Sequence, residues 1–117
     1  MRHAVYSKIN GEQTLDDTSF HSQVDEVFLD IEDKVDELAD DIDIDSSGGV
    51  LTFTFQDGSS VILSRQVGSH EIWVAAKSGG YHLKLDDDNW VSDSTGENLA
   101  TLVDRVFIQQ GASGPFS

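Results

Sequence analysis

Apolar residues recur at steps of three and four from Phe20 onward. Phe20, Val24, Val27, Phe28, Ile31, Val35 and Leu38 fall within about 100° of one another on a helical wheel. The spacing predicts a helix over 18–39, with Asp17 or Thr18 as its cap. Past it the period drops to two. Ile42-Asp43-Ile44-Asp45 alternates, Ser46-Ser47-Gly48-Gly49 reads as a turn, and Val50 to Phe55 alternates again with Leu51, Phe53 and Phe55 on one face. Asp57-Gly58 is a hairpin signal before Val61-Ile62-Leu63. Ile72 to Ala76 follows, then a turn at Ser78-Gly79-Gly80, then Tyr81 to Leu85, and Asp86 to Asn89 closes a hairpin into Trp90-Val91. Ser94 to Glu97 has capping-box spacing, and Leu99, Leu102, Val103, Val106 and Phe107 form a second helical stripe. Short hairpins make the sheet antiparallel. The expected fold is α+β: an α-β-α sandwich with two helices on one face of five to six strands, and the other face polar.

Residues 1–16 show no clear period and are expected to form a flexible N-terminal extension. Residues 17–110 are the folded domain, and residues 111–117, rich in Gly, Ser and Pro, form a disordered or loosely packed tail. A chain of 117 residues has room for one domain. It has no cysteine, which excludes disulfides, thiolate zinc sites, cysteine-held clusters and thiol nucleophiles. No apolar run approaches the ~20 residues of a membrane span, so a cytoplasmic location is expected.

Charge alters the picture more. Twenty-two acids against seven bases give a net charge of −15, which argues against nucleic acid and anionic membrane as partners. Residues 16–45 alone hold thirteen acids against Lys34, a net of −12. On the wheel Asp25, Glu26, Glu32, Asp33, Asp36, Glu37 and Asp40 lie opposite the apolar stripe. Five like-charged pairs stand at i,i+4: Glu26/Asp30, Glu32/Asp36, Asp33/Glu37, Asp36/Asp40 and Glu37/Asp41. Each costs about 0.2–0.5 kcal/mol, and only Asp30–Lys34 offers relief. Such a face serves solubility, shares hard cations weakly through oxygen ligands, or docks on a basic partner. Asp25, Glu32, Asp33, Asp36, Glu37, Asp41, Asp43 and Asp45 are the candidate ligands. His21, beside Phe20, either adds a nitrogen or is simply solvated.

Asp41, Asp43 and Asp45 have calcium-loop spacing, but Ser46 stands where glycine is needed and Thr52 where glutamate is, which excludes an EF-hand. No nucleophile elbow, Ser-His-Asp order or phosphate-binding glycine loop occurs, so the chain is not read as an enzyme. If Ile72, Val74 and Ala76 face the core, Trp73 faces outward, either as a binding hot spot or lying flat on its neighbours. Arg65 and Gln66 end the preceding strand and are expected to supply polar contacts beside it.

Together these blocks are similar to the frataxin family, in its bacterial (CyaY-like) branch. The resemblance rests on Phe20-His21 opening an acidic helix, Gly48 to Phe55, Arg65-Gln66, Ile72 to Ala75, Lys77 to His82, and Trp90, Asp93, Gly96-Glu97 and Leu99. It covers about residues 17–110. Ser64 departs from the usual asparagine, and Val67-Gly68 from an acid and proline. The resemblance implies an iron-binding regulator of iron–sulfur cluster assembly, with Fe2+ or Fe3+ held weakly on the acidic ridge. It implies docking of Asp33, Asp36 and Glu37 on a cysteine desulfurase. Arg65, Gln66 and Trp73 would form a second surface facing the iron–sulfur scaffold protein or the cluster, and the protein would be a monomer without iron. Two other readings stay open: a ferroxidase-like iron store that oligomerises with iron, and an acidic adaptor with no metal role.

Overall fold

The computed structural model describes residues 7–9 and 12–117, with side chains from Leu15 onward. Two short strands, β1 (Ser7–Ile9) and β2 (Glu12–Thr14), pair antiparallel in a sheet of their own. The apolar pattern assigns no element here; the available cue is Asn10-Gly11, a dipeptide favoured in two-residue hairpins. The remainder of the expected extension before Leu15, residues 1–6 and 10–11, lies outside the described residues.

Helix α1 spans Asp17–Asp36, and its cap is Asp16 in place of Asp17 or Thr18. Asp16 is extended, and its carboxylate accepts the Ser19 amide at 2.8 Å. Bonds from the Ser19 amide and hydroxyl hold the Asp16 carboxyl below its ordinary range. The helix stops three residues short of the expected 39. The Leu38 amide turns back to the Val35 carbonyl at 3.0 Å, an i→i+3 bond that tightens the last turn where α-helical pairing would otherwise continue. Glu37 becomes the C-cap instead, its amide bonded to the Asp33 carbonyl.

Six strands follow as one antiparallel meander in sequence order: β3 (Asp43–Ser47), β4 (Val50–Thr54), β5 (Ser60–Gln66), β6 (Glu71–Ala76), β7 (Gly79–Asp86) and β8 (Asn89–Ser92). The first turn is tighter than expected. Ser47 pairs with Val50, leaving Gly48 and Gly49 at φ 62° and 80°, the left-handed pair that a two-residue turn matching strand twist demands. Gly79 and Gly80 pair within β7, so the turn there is Lys77-Ser78. β3 is one edge of the sheet; at the other, Val91 of β8 bridges to Asn98.

Helix α2 spans Leu99–Gln109 and is capped by Asn98, whose side chain accepts the Thr101 amide at 2.9 Å. This corrects the expected Ser94–Glu97 box. Glu97 is taken by Arg105, which donates to both its oxygens at 2.8 Å. The two helical stripes meet the sheet over Leu51, Phe53, Val61, Leu63, Ile72, Val74 and Leu83, all buried, and Trp90 closes the core beside Phe20. The tail is a further correction, because it is packed. Gly114 and Pro115 are buried, Asp104 accepts from the Phe116 amide at 2.8 Å and the Ser117 hydroxyl at 3.0 Å, and Ser113 donates to Asp40. No described helix is long and apolar enough to cross a membrane.

Candidate functional site

The core stripe turns Glu26, Asp30, Asp33 and Asp36 of α1 outward, all of them exposed, with Glu32 half-buried beside them. Residues 15–117 contain five basic side chains, and four of them pair with acids elsewhere: Arg65 with Asp25, Lys77 with Asp57, Lys84 with Glu71 and Arg105 with Glu97. Lys34 forms no ion pair among the described residues, and the expected Asp30 contact is not made. From Glu26 to Asp45, therefore, no carboxylate has a counter-cation among the described residues. Because α1 ends early, two of the expected like-charged pairs, Asp36/Asp40 and Glu37/Asp41, fall beyond the helix. The remaining three cost about 0.2–0.5 kcal/mol each. No three acidic or imidazole side chains converge as a preformed metal cage among the described residues. The surface is a line of single carboxylates, suited to weak and exchangeable binding of hard cations.

The acidic run also divides between two faces. Ile44 pairs with the buried Phe53, so alternation turns Asp43 and Asp45 to the opposite side of the sheet, beside Thr54 and Thr52. Asp41 stays in the connection. It helps line a cleft of about 420 Å³ with Asp40, Phe55, Asp57 and Gln110.

Arg65 is not beside Trp73. It reaches from β5 to the helix side, where Nη2 meets Asp25 Oδ1 at 2.7 Å and Nη1 meets His21 Nδ1 at 3.0 Å. Register explains the correction: Arg65 pairs with buried Ile72, whereas Ser64 pairs with Trp73 and Gln66 with Glu71. The open sheet face therefore carries Ser64, Gln66, Trp73 and His82. Trp73 is 38% exposed and stacks on His82 with centroids 4.4 Å apart. Its indole N–H donates to Glu71 at 2.7 Å, so it both lies on a neighbour and presents a free face. That bond, aided by Ser69, Lys84 and His82, holds the Glu71 carboxyl below its usual range against the effect of burial.

Three of these partners were not legible as such in the sequence: His82 under Trp73, Glu71 beneath the indole, and His70. His70, at φ 54°, meets Asp17 at 2.7 Å and Phe20 at a centroid distance of 5.1 Å, tying the β5–β6 loop to the start of α1. Only strand register could have paired His82 with Trp73; no local signal marks His70.

Arg105 holds the Glu97 carboxyl below its ordinary 4.5, chiefly through their hydrogen bonds. A depressed folded value means that this contribution is present above pH 4.5 and is lost as pH falls through the lower value. Glu97→Gln is expected to cost about 1–3 kcal/mol at pH 7. Its deficit against the native chain should narrow below pH 4.5 in urea melts; a deficit constant down to pH 3 would refute the assignment.

Fold and site together define a two-layer α+β protein with an acidic helix and an aromatic open sheet. Residues 13–113 match the frataxin-like domain family. A frataxin from Psychromonas ingrahamii, studied for stability modulation in the CyaY protein family, has a similar structure. Its TM-score is 0.82 at 27% identity, covering 88% of this chain and 99% of that one. A trimeric frataxin from Saccharomyces cerevisiae, complexed with ferrous iron, matches at TM-score 0.61 and 22% identity over 83% of this chain and 87% of that one. The chain belongs to the frataxin family, in its bacterial, CyaY-like branch.

Proposed function

We propose that this protein binds iron weakly on the acidic face of α1 and regulates iron–sulfur cluster assembly by docking on a cysteine desulfurase. The observation that carries the reading is the run of carboxylates from Glu26 to Asp45 without a counter-cation among the described residues. A fold that keeps like charges together at a stability cost gains when a cation or basic surface meets them. Family membership supports iron as that cation, and the yeast frataxin complexed with ferrous iron supports it further.

Glu32, Asp33, Asp36, Glu37 and Asp41 hold the metal, while Asp43 and Asp45, turned to the other side of β3, stand apart from it. Asp25 and His21 belong to the same helix but are tied to Arg65. Asp33, Asp36 and Glu37 also meet the desulfurase, so metal and partner compete. Trp73 and Gln66 present a second surface to the scaffold protein. The protein works by binding, with no chemical step of its own. Anaerobic Fe2+ titration followed by residue-resolved NMR is expected to broaden amides strongest over residues 32–41. Broadening centred on Trp73 and His82 instead would overturn the metal assignment.

A further inference from the structure

We propose that Arg65 is a selectivity residue: it withholds His21 and Asp25 from metal and keeps the binding surface all-oxygen. The inference deepens the proposed function and rests on its reading of α1 as a cation surface. His21 and Asp25 stand one helical turn apart, so imidazole and carboxylate are neighbours on one face. A nitrogen–oxygen pair of this kind suits borderline divalent ions such as Zn2+ better than an oxygen-only surface does.

Arg65 occupies both groups. A guanidinium only donates, so the 3.0 Å contact makes His21 Nδ1 the acceptor. The neutral ring then carries its proton on Nε2, and neither nitrogen has a lone pair free for metal. Asp25 Oδ1 accepts the other terminal nitrogen at 2.7 Å, and the fixed positive charge repels an arriving cation. The guanidinium is well held. Its side chain is 17% exposed, its Cζ lies 5.5 Å from the Phe28 ring centroid, and its stem runs close against Gly49. Nε is buried with no hydrogen-bond partner, so packing and the two contacts to α1 fix the group. Glu32, Asp33, Asp36 and Glu37 lie further along α1 or at its cap, and Arg65 contacts none of them.

The test is Zn2+ titration of the native chain, of Arg65→Met and of the double variant Arg65→Met/His21→Gln, read by calorimetry and by the His21 ring resonances. Arg65→Met is expected to bind Zn2+ roughly tenfold or more tightly, with the His21 ring shifting. The second substitution should abolish the gain, and the native His21 ring should not move. Should circular dichroism show Arg65→Met unfolded, Arg65→Gln takes its place with the same expectations. A native His21 that shifts at the same Zn2+ concentration as the variant overturns the proposal, and so does a variant without gain. The Fe2+ response at residues 32–41 is a separate readout, so failure there sinks the proposed function and not this assignment of Arg65.

Discussion

Reversing Asp33, Asp36 and Glu37 to lysine together is expected to weaken desulfurase binding at least about tenfold at physiological salt while raising the melting temperature. The two effects have one origin. The three carboxylates sit in the last turn and cap of α1, where the helix dipole disfavours anions. Lysines there are favoured by about 0.3–1 kcal/mol each. Glu32/Asp36 becomes an attractive pair with the acid N-terminal, while positions 33 and 37 remain alike in charge. The balance is a gain of about 1–2 kcal/mol, or roughly 4–10 °C in Tm. Calorimetry of the variant and titration against the desulfurase measure both. The stability gain should shrink in high salt, because exposed charges are screened. Docking that survives the triple change would show that α1 is not the interface. Trp73→Ala serves as the contrast, since it lies on the other face and should leave iron binding intact.

Phe107→Ala is expected to cost about 3–5 kcal/mol, a large part of the 5–15 kcal/mol typical of a domain. Phe107 is fully buried on α2 and meets Phe53 and Phe55 edge to face, with centroids 5.3 and 5.0 Å away. Each aromatic pair adds about 0.5–1.5 kcal/mol beyond the area it buries. Ile108, its neighbour in sequence, is 56% exposed, and Ile108→Ala should cost under about 0.5 kcal/mol. Urea unfolding midpoints compare the two at constant slope. Equal losses would mean that α2 is docked in a different rotation.

Periodicity located both helices and all six strands of the main sheet because the core stripes are regular and the turns carry glycine or aspartate. It misplaced ends wherever short-range chemistry competed. Asp16 outdid Asp17 as a cap because both the amide and the hydroxyl of Ser19 bond its carboxylate. Asn98 capped α2 because Arg105, eight residues ahead of Glu97, claimed that glutamate. The tail read as loose from its composition, yet Asp104 gives its backbone a partner that no local pattern announces. For the site, the acidic charge was legible as a count and a wheel position. Its division between the α1 face and the far side of β3 required register, as did the placement of Arg65. A side chain at the end of a strand points to one face or the other by a single residue of pairing.

β3 is the one edge of the six-stranded sheet not bridged to a neighbouring segment among the described residues, and its row of open backbone groups would template pairing with another chain. Asp43 and Asp45 stand on that strand, and two copies brought edge to edge would confront their carboxylates across the seam. These carboxylates thus oppose edge-to-edge pairing, as charged side chains do on exposed sheet edges.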